Sequence, residues 1–104
     1  MSPSLPSRSA ALRLQIDNSL QIERAAFGAK VRAARAILGL SQDEFARRIG
    51  LTQKSVHRIE QGSVEPKLRT IATIEQFWRD SGLAFEQLPD GGFRLVVRAA
   101  VLRG

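Results

Sequence analysis

Two helix signals lie so close together in this chain that the helices they predict must cross at a steep angle. The first helix begins after Ser41, because Ser41 and Glu44 have the spacing of a capping box, in which each side chain satisfies a free backbone N–H. It ends at Gly50, and Thr52 is a suitable N-cap for the next helix. Since only Leu51 separates the two signals, the chain has no room to reverse, and antiparallel packing of this pair is excluded.

A further helix is predicted on each side of this pair. The preceding helix runs from near Ile22 to Gly39, and the following one from near Pro66 to Gly82. Each carries an apolar stripe with the spacing of one helix face. The first stripe consists of Phe27, Val31, Ala34 and Leu38, and the second of Leu68, Ile71, Ile74 and Trp78. Four helices around one small core are therefore expected.

The chain ends differ from this helical centre. Residues 1–20, rich in serine and proline at their start, are expected to form a flexible tail, and residues 21–82 the helical domain. From Leu83 to Val97 apolar residues alternate around a turn sequence at 89–92, which predicts a β-hairpin in a C-terminal segment, 83–104. A lone hairpin is marginally stable in water, so it must pack on the helices, pair with a partner's edge, or both.

The net charge of +6 on these 104 residues is concentrated in one segment. Between Arg24 and Arg58 there are eight bases and two acids, whereas the bases and acids elsewhere balance. Such a segment favours a polyanionic partner, most often nucleic acid; the alternative is a solvated basic face. The chain has no cysteine, and its apolar runs are far shorter than the roughly 20 residues of a membrane span. We therefore expect a soluble, cytoplasmic protein with no disulfide framework and no membrane association.

The steeply crossing pair has the geometry of a helix-turn-helix, in which the second helix enters the major groove of DNA. On that helix Gln53 can pair with adenine, while Lys54 and Arg58 can donate to guanine. Ser41 and Gln42, at the start of the first helix of the pair, are placed to bind phosphate. These residues predict a protein that reads double-stranded DNA.

The ordered strings LSQDEFA at 40–46, IGLTQ at 49–53, SV at 55–56 and IEQG at 59–62 resemble the Cro/repressor-type, or XRE-like, helix-turn-helix family of phage and bacterial regulators. The resemblance covers about half of the chain. It implies a mainly α fold, a four-to-five-helix repressor-like domain, here with a C-terminal β-hairpin or dimerising strand. Phage-repressor relatives add a dimerising fifth helix at this point, whereas a second group of the family ends in a strand that pairs across a dimer.

The resemblance also implies roles for individual residues. Gln42 would bind phosphate and brace the recognition helix, and Ser55 would lie near a phosphate or a thymine methyl group. Arg35 and Glu60 match a pair that forms a structural salt bridge in the family. Lys67 resembles a basic residue that contacts the backbone near the minor groove. An acid, Glu65, stands in the preceding linker where many relatives are basic, which weakens the expectation of phosphate contacts there.

The remaining candidate site residue is His57, the only histidine. No nucleophile–base set, metal-ligand spacing or phosphate-binding glycine loop accompanies it, so we expect no enzyme activity, no metal site and no cofactor, and place His57 near the phosphates.

The resulting hypothesis is a sequence-specific regulator that binds a pseudo-palindromic operator as a homodimer, in the cytoplasm of a bacterium or phage host. The alternative is an antitoxin-like DNA-binding module whose C-terminal segment binds a protein partner, such as a toxin or anti-regulator. Deletion of residues 83–104 is expected to leave the helices folded but to favour the monomer.

Overall fold

The computed structural model describes residues 7–103 and contains five helices and one two-stranded sheet. Its elements are α1 (Arg8–Leu38), α2 (Gln42–Ile49), α3 (Gln53–Glu60), α4 (Leu68–Asp80), β1 (Leu83–Gln87), β2 (Phe93–Val97) and α5 (Ala99–Arg103). The predicted fold class, mainly helical with a C-terminal hairpin, is confirmed. The short α5 follows the hairpin, where no signal was recognised in the sequence.

Helix α1 begins much earlier than the sequence analysis expected. Residues 8–20, which the sequence analysis assigned to a flexible tail, are helical. The first six residues of that predicted tail lie outside the described residues. Ser7 is the N-cap, its hydroxyl oxygen accepting a hydrogen bond of 3.2 Å from the backbone N–H of Ala10. Alanine, leucine, arginine and glutamine are strong helix formers, and extending an existing helix costs much less than nucleating one. The result is a helix of 31 residues whose first half projects from the rest.

The two crossing helices have the boundaries that their capping residues predict. The Ser41 hydroxyl accepts from the Glu44 backbone N–H at 3.0 Å, and the Glu44 carboxylate accepts from the Ser41 N–H at 3.2 Å. The hydrogen bond from the Ser41 backbone N–H to the carboxylate, followed by the Ser41 hydroxyl, lowers the pKa of the Glu44 carboxyl below its usual range. Gly50 closes α2 in the left-handed conformation, φ 74°, and Thr52 caps α3 by accepting from the Ser55 N–H at 3.1 Å.

The hydrophobic core joins α1, α2, α3, α4 and the first residue of the hairpin. Its fully buried large side chains are Phe45, Ile74, Leu83, Val31 and Val56. The Trp78 ring packs edge-on against Phe85 of β1, with centroids 4.7 Å apart, and Phe85 packs in turn against Phe93 of β2. The hairpin is therefore part of the folded body. Deletion of residues 83–104, for which the sequence analysis predicts folded helices, would remove Leu83 from the core and uncover Trp78.

Gly28 allows the backbone of α1 to approach the end of α3. A Cβ atom at this position would lie 2.6 Å from the carbonyl oxygens of Ile59 and Glu60. No side chain fits at that distance, so a glycine sets how closely these two helices pack.

A buried ion pair joins the same two helices. Arg35 on α1 donates twice to the Glu60 carboxylate, from Nε at 2.8 Å and from Nη2 at 3.0 Å, and once to the backbone carbonyl of Leu40 at 3.0 Å. The hydrogen bonds to Glu60 raise the pKa of the Arg35 guanidinium. Glu60 is 3% exposed, so its charge depends on these donors for compensation. The pair holds α3 in position on α1.

Glu60→Ala should destabilise the fold by about 3–5 kcal/mol, because it leaves the partly buried Arg35 without its counter-ion. The matched control is Glu65→Ala, which breaks the solvent-exposed pair with Arg24 and should cost less than about 1 kcal/mol. Urea unfolding followed by far-UV circular dichroism measures both. Equal losses would contradict the structural role of the buried pair.

Leu83→Ala should destabilise the whole domain by about 2–5 kcal/mol, because Leu83 is 2% exposed in the core. Leu102→Ala, on α5, truncates a leucine that is 75% exposed and should change the unfolding free energy by less than about 0.5 kcal/mol. If Leu83→Ala unfolded at the same urea concentration as the parent protein, the hairpin would be an independent appendage.

Candidate nucleic-acid interface

Helix α3 presents a polar, solvent-exposed face opposite its buried one. The buried side consists of Val56, Ile59 and Glu60. The exposed side consists of Gln53, Lys54, His57, Arg58 and Gln61. A spacing of four residues arranges these as two adjacent rows, one of Gln53, His57 and Gln61 and one of Lys54 and Arg58. The three predicted base-reading residues thus share one face, and that face also contains His57 and Gln61.

His57 and Gln61 lie on the exposed face of α3 beside the three predicted base-reading residues. The sequence analysis assigned His57 to phosphate and gave Gln61 no role. His57 follows Gln53 by four residues and Gln61 follows His57 by four, which was a readable signal because side chains four apart on a helix are neighbours.

Gln42 connects the buried ion pair to this face. Its amide nitrogen donates to the Glu60 carboxylate at 3.1 Å, and its amide oxygen accepts from the Gln53 amide at 3.4 Å. The same nitrogen lies 3.4 Å from Nδ1 of His57. The first residue of α2 therefore contacts the first turn and the middle of α3, and it restricts the orientation of Gln53.

The remaining predicted phosphate-binding residues differ in how much of each side chain is already engaged. Ser41 is exposed at the start of α2, and its hydroxyl oxygen accepts the capping bond. Ser55 is half-buried, and its hydroxyl oxygen accepts from the Thr52 hydroxyl at 2.9 Å. Lys67 is exposed at the N-cap position of α4, where its side chain makes no capping hydrogen bond. Lys67 consequently has the greatest freedom to reach a phosphate.

The eight bases of the positive segment separate into two groups. Those on α1 each contact a group of the folded body: Arg24 contacts Glu65, Lys30 the rings of Phe85 and Phe93, Arg32 the carbonyl oxygen of Glu60, and Arg35 its carboxylate. Those on α2 and α3 are exposed: Arg47, Arg48, Lys54 and Arg58. Arg47 pairs with Asp43 at 3.0 Å on the surface. Arg32 on α1 is exposed as well, so five of these eight bases face solvent, four of them on the crossing helices.

Residues 7–103 contain no cluster of three or more His, Cys, Asp or Glu side chains that could hold a metal ion. Within the same residues, no helix is long and apolar enough to cross a membrane.

Comparison with known families gives a match for the segment that contains this face. Residues 31–77 match the family model described as Helix-turn-helix, whereas the search of curated proteins returned no match. The matched segment extends from the second half of α1 through most of α4 and includes the Arg35–Glu60 pair, Gln42 and the exposed face of α3. Residues 31–77 are thus similar to XRE-family helix-turn-helix domains, and this similarity supports a DNA-binding transcription regulator.

Proposed function

We propose that this protein is a sequence-specific regulator that binds a pseudo-palindromic operator in double-stranded DNA as a homodimer. The observation that carries the proposal is the exposed face of α3, which consists of amide, imidazole and basic side chains and is braced from behind by Gln42 and Glu60. A B-DNA major groove is wide enough to admit this helix, and its base edges offer distinct patterns of donors and acceptors.

Three side chains of α3 would read bases. Arg58 and Lys54 would donate to the O6 and N7 atoms of guanine, and Gln53 would pair with N6 and N7 of adenine. Gln53 has a second amide hydrogen and its amide oxygen available for a base while it donates to Gln42. The contact with Gln42 already restricts the Gln53 side chain, so Gln53 would lose less conformational entropy on binding a base.

Contacts to the DNA backbone would come from the rim of this face. Ser41 and Gln42 lie at the start of α2, where free backbone N–H groups and the helix dipole favour a phosphate. Ser55, His57 and Lys67 would complete the set of phosphate contacts. Such contacts supply much of the affinity and fix the register, whereas the base contacts select the site.

The hairpin would form the dimer interface. Among the described residues, each of its strands has one edge without a strand partner. The backbone N–H of Leu88 donates to the Gly92 carbonyl, and that of Arg98 donates to the Gly82 carbonyl. Hydrogen-bonded and non-hydrogen-bonded residue pairs alternate along two antiparallel strands, so these two bonds fix which pairs are which. The outward-pointing backbone groups are therefore those of Leu83, Phe85 and Gln87 on β1 and of Phe93, Leu95 and Val97 on β2. An edge of this kind is a template for pairing with a second copy. Dimerisation would place two α3 helices on half-sites about 34–36 Å apart.

Arg58→Ala should weaken binding to the preferred operator by about 1–3 kcal/mol and relax the preference at one base pair, because it removes a bidentate donor to guanine. Lys67→Ala is the matched control. It should weaken binding to all sequences similarly and reduce the slope of log affinity against log salt by about 1. Operators selected from a random DNA library, titrated at several salt concentrations, provide both measurements. Uniform weakening by Arg58→Ala would contradict its base-reading role.

A cysteine placed on the hairpin should crosslink two chains, and the protein has no native cysteine to compete. Ala84→Cys and Val96→Cys label the exposed outer surface of β1 and β2, and Ala72→Cys labels the exposed surface of α4 as a control. With a short bifunctional maleimide, we expect a covalent dimer from the strand at the interface and none from Ala72→Cys. If neither strand variant crosslinks, the hairpin is not the dimer interface, and its edges remain available to a protein partner, as the antitoxin-like alternative requires.

A further inference from the structure

The first half of α1 carries an apolar row that is exposed over most of its length. Leu12 and Ile16 are 57% and 50% exposed. Leu20, four residues further on, is half-buried at the edge of the body. A spacing of four places these three side chains in one slightly slanted row along the helix. An exposed helix of this kind lacks the tertiary packing from which most helical stability in proteins derives.

The row leads directly into a groove on the body. The groove has a volume of about 590 Å³ and lies between α1, the start of α4 and the turn of the hairpin. Leu20 and Phe27 form part of its α1 wall, and Leu68 and Ile71 form part of its α4 wall. Leu68 is 84% exposed, which is extreme for a leucine on the surface of a folded body. The row and the apolar part of the groove wall adjoin at Leu20.

The charged residues beside this row would match those of a second copy of α1 in one relative orientation of the two helices. The ion pairs of residues 7–103 do not involve Arg8, Arg13, Asp17 or Glu23. The two bases lie towards the start of α1 and the two acids towards the body. A second copy aligned parallel would place the bases of both chains together, whereas an antiparallel copy places the bases of one chain beside the acids of the other.

The helical repeat makes this alignment specific. With Ile16 opposite the partner's Ile16, Leu12 faces the partner's Leu20 at the mouth of the groove. In the same register, Arg13 and Asp17 lie on the same flank of the row, so Arg13 of each chain lies beside the partner's Asp17. Arg8 and Glu23 share the other flank, and Arg8 lies beside the partner's Glu23. Apolar contacts and four ion pairs therefore coincide in a single register.

We propose that the first half of α1 is a self-association surface that pairs antiparallel with α1 of a second copy, with Ile16 at the two-fold axis and the start of each helix in the groove of the other chain. This surface is separate from the exposed face of α3, and its groove borders the turn of the hairpin. It requires no DNA, so the pairing does not depend on the proposed function. Together with a hairpin dimer it would allow assembly beyond the dimer.

Ile16→Glu places two carboxylates against each other at the axis and should raise the dissociation constant of α1 pairing by at least about tenfold. Leu14→Glu is the matched control, because Leu14 is 60% exposed on the opposite side of the helix. Sedimentation velocity of the full chain without DNA measures the association state. Equal effects of the two variants, or no effect of Ile16→Glu, would overturn the proposal.

Mixing two charge-reversal variants distinguishes ion pairs between two chains from ion pairs within one helix. Arg13→Asp and Asp17→Arg should each weaken self-association, because each places like charges at both contacts. An equimolar mixture should restore it, because the mixed pair has opposite charges at both contacts while each helix keeps its own like charges. A mixture that associates no better than either variant alone would overturn the antiparallel register. A persistent crosslink through the hairpin in Ile16→Glu would show that the two interfaces are independent.

Discussion

The carboxylate of Glu60 is the group on which the arrangement of the exposed face of α3 depends. It lies in the interior at the end of α3, where its charge is compensated by the Arg35 guanidinium and by the amide of Gln42. A buried carboxylate without these donors would be strongly destabilising, so the three side chains must assemble together. Because they come from α1, α2 and α3, their assembly sets the position of α3 on the other two helices.

The same network extends to the surface through Gln42. Its amide nitrogen donates to the buried Glu60 carboxylate, and its amide oxygen accepts from the exposed Gln53 side chain. One side chain therefore links the interior to the exposed face of α3. Such a link lets Gln42 restrict both the buried Glu60 carboxylate and the exposed Gln53 side chain. It also explains why a polar residue at the start of α2 is half-buried.

Net charge proved to be a coarse guide to this surface. Half of the basic residues in the positive segment contact the folded body from α1, where they hold Glu60, Glu65 and two aromatic rings of the hairpin. The remaining half, on α2 and α3, is exposed. Long basic side chains can serve packing as well as binding, and their number alone does not separate these uses.

Local sequence determined the boundaries of α2 and α3, because capping boxes and helix-ending glycines act within a few residues of the chain. The resemblance to XRE-type regulators identified the Arg35–Glu60 pairing. Only the tertiary structure decided that the hairpin completes the core, that Gly28 is needed for close packing on α3, and that α1 continues back to Arg8 as a largely exposed helix. These features depend on contacts between residues far apart in the chain, or on a helix nucleated by its packed half, and neither is encoded in the short-range patterns that sequence analysis reads.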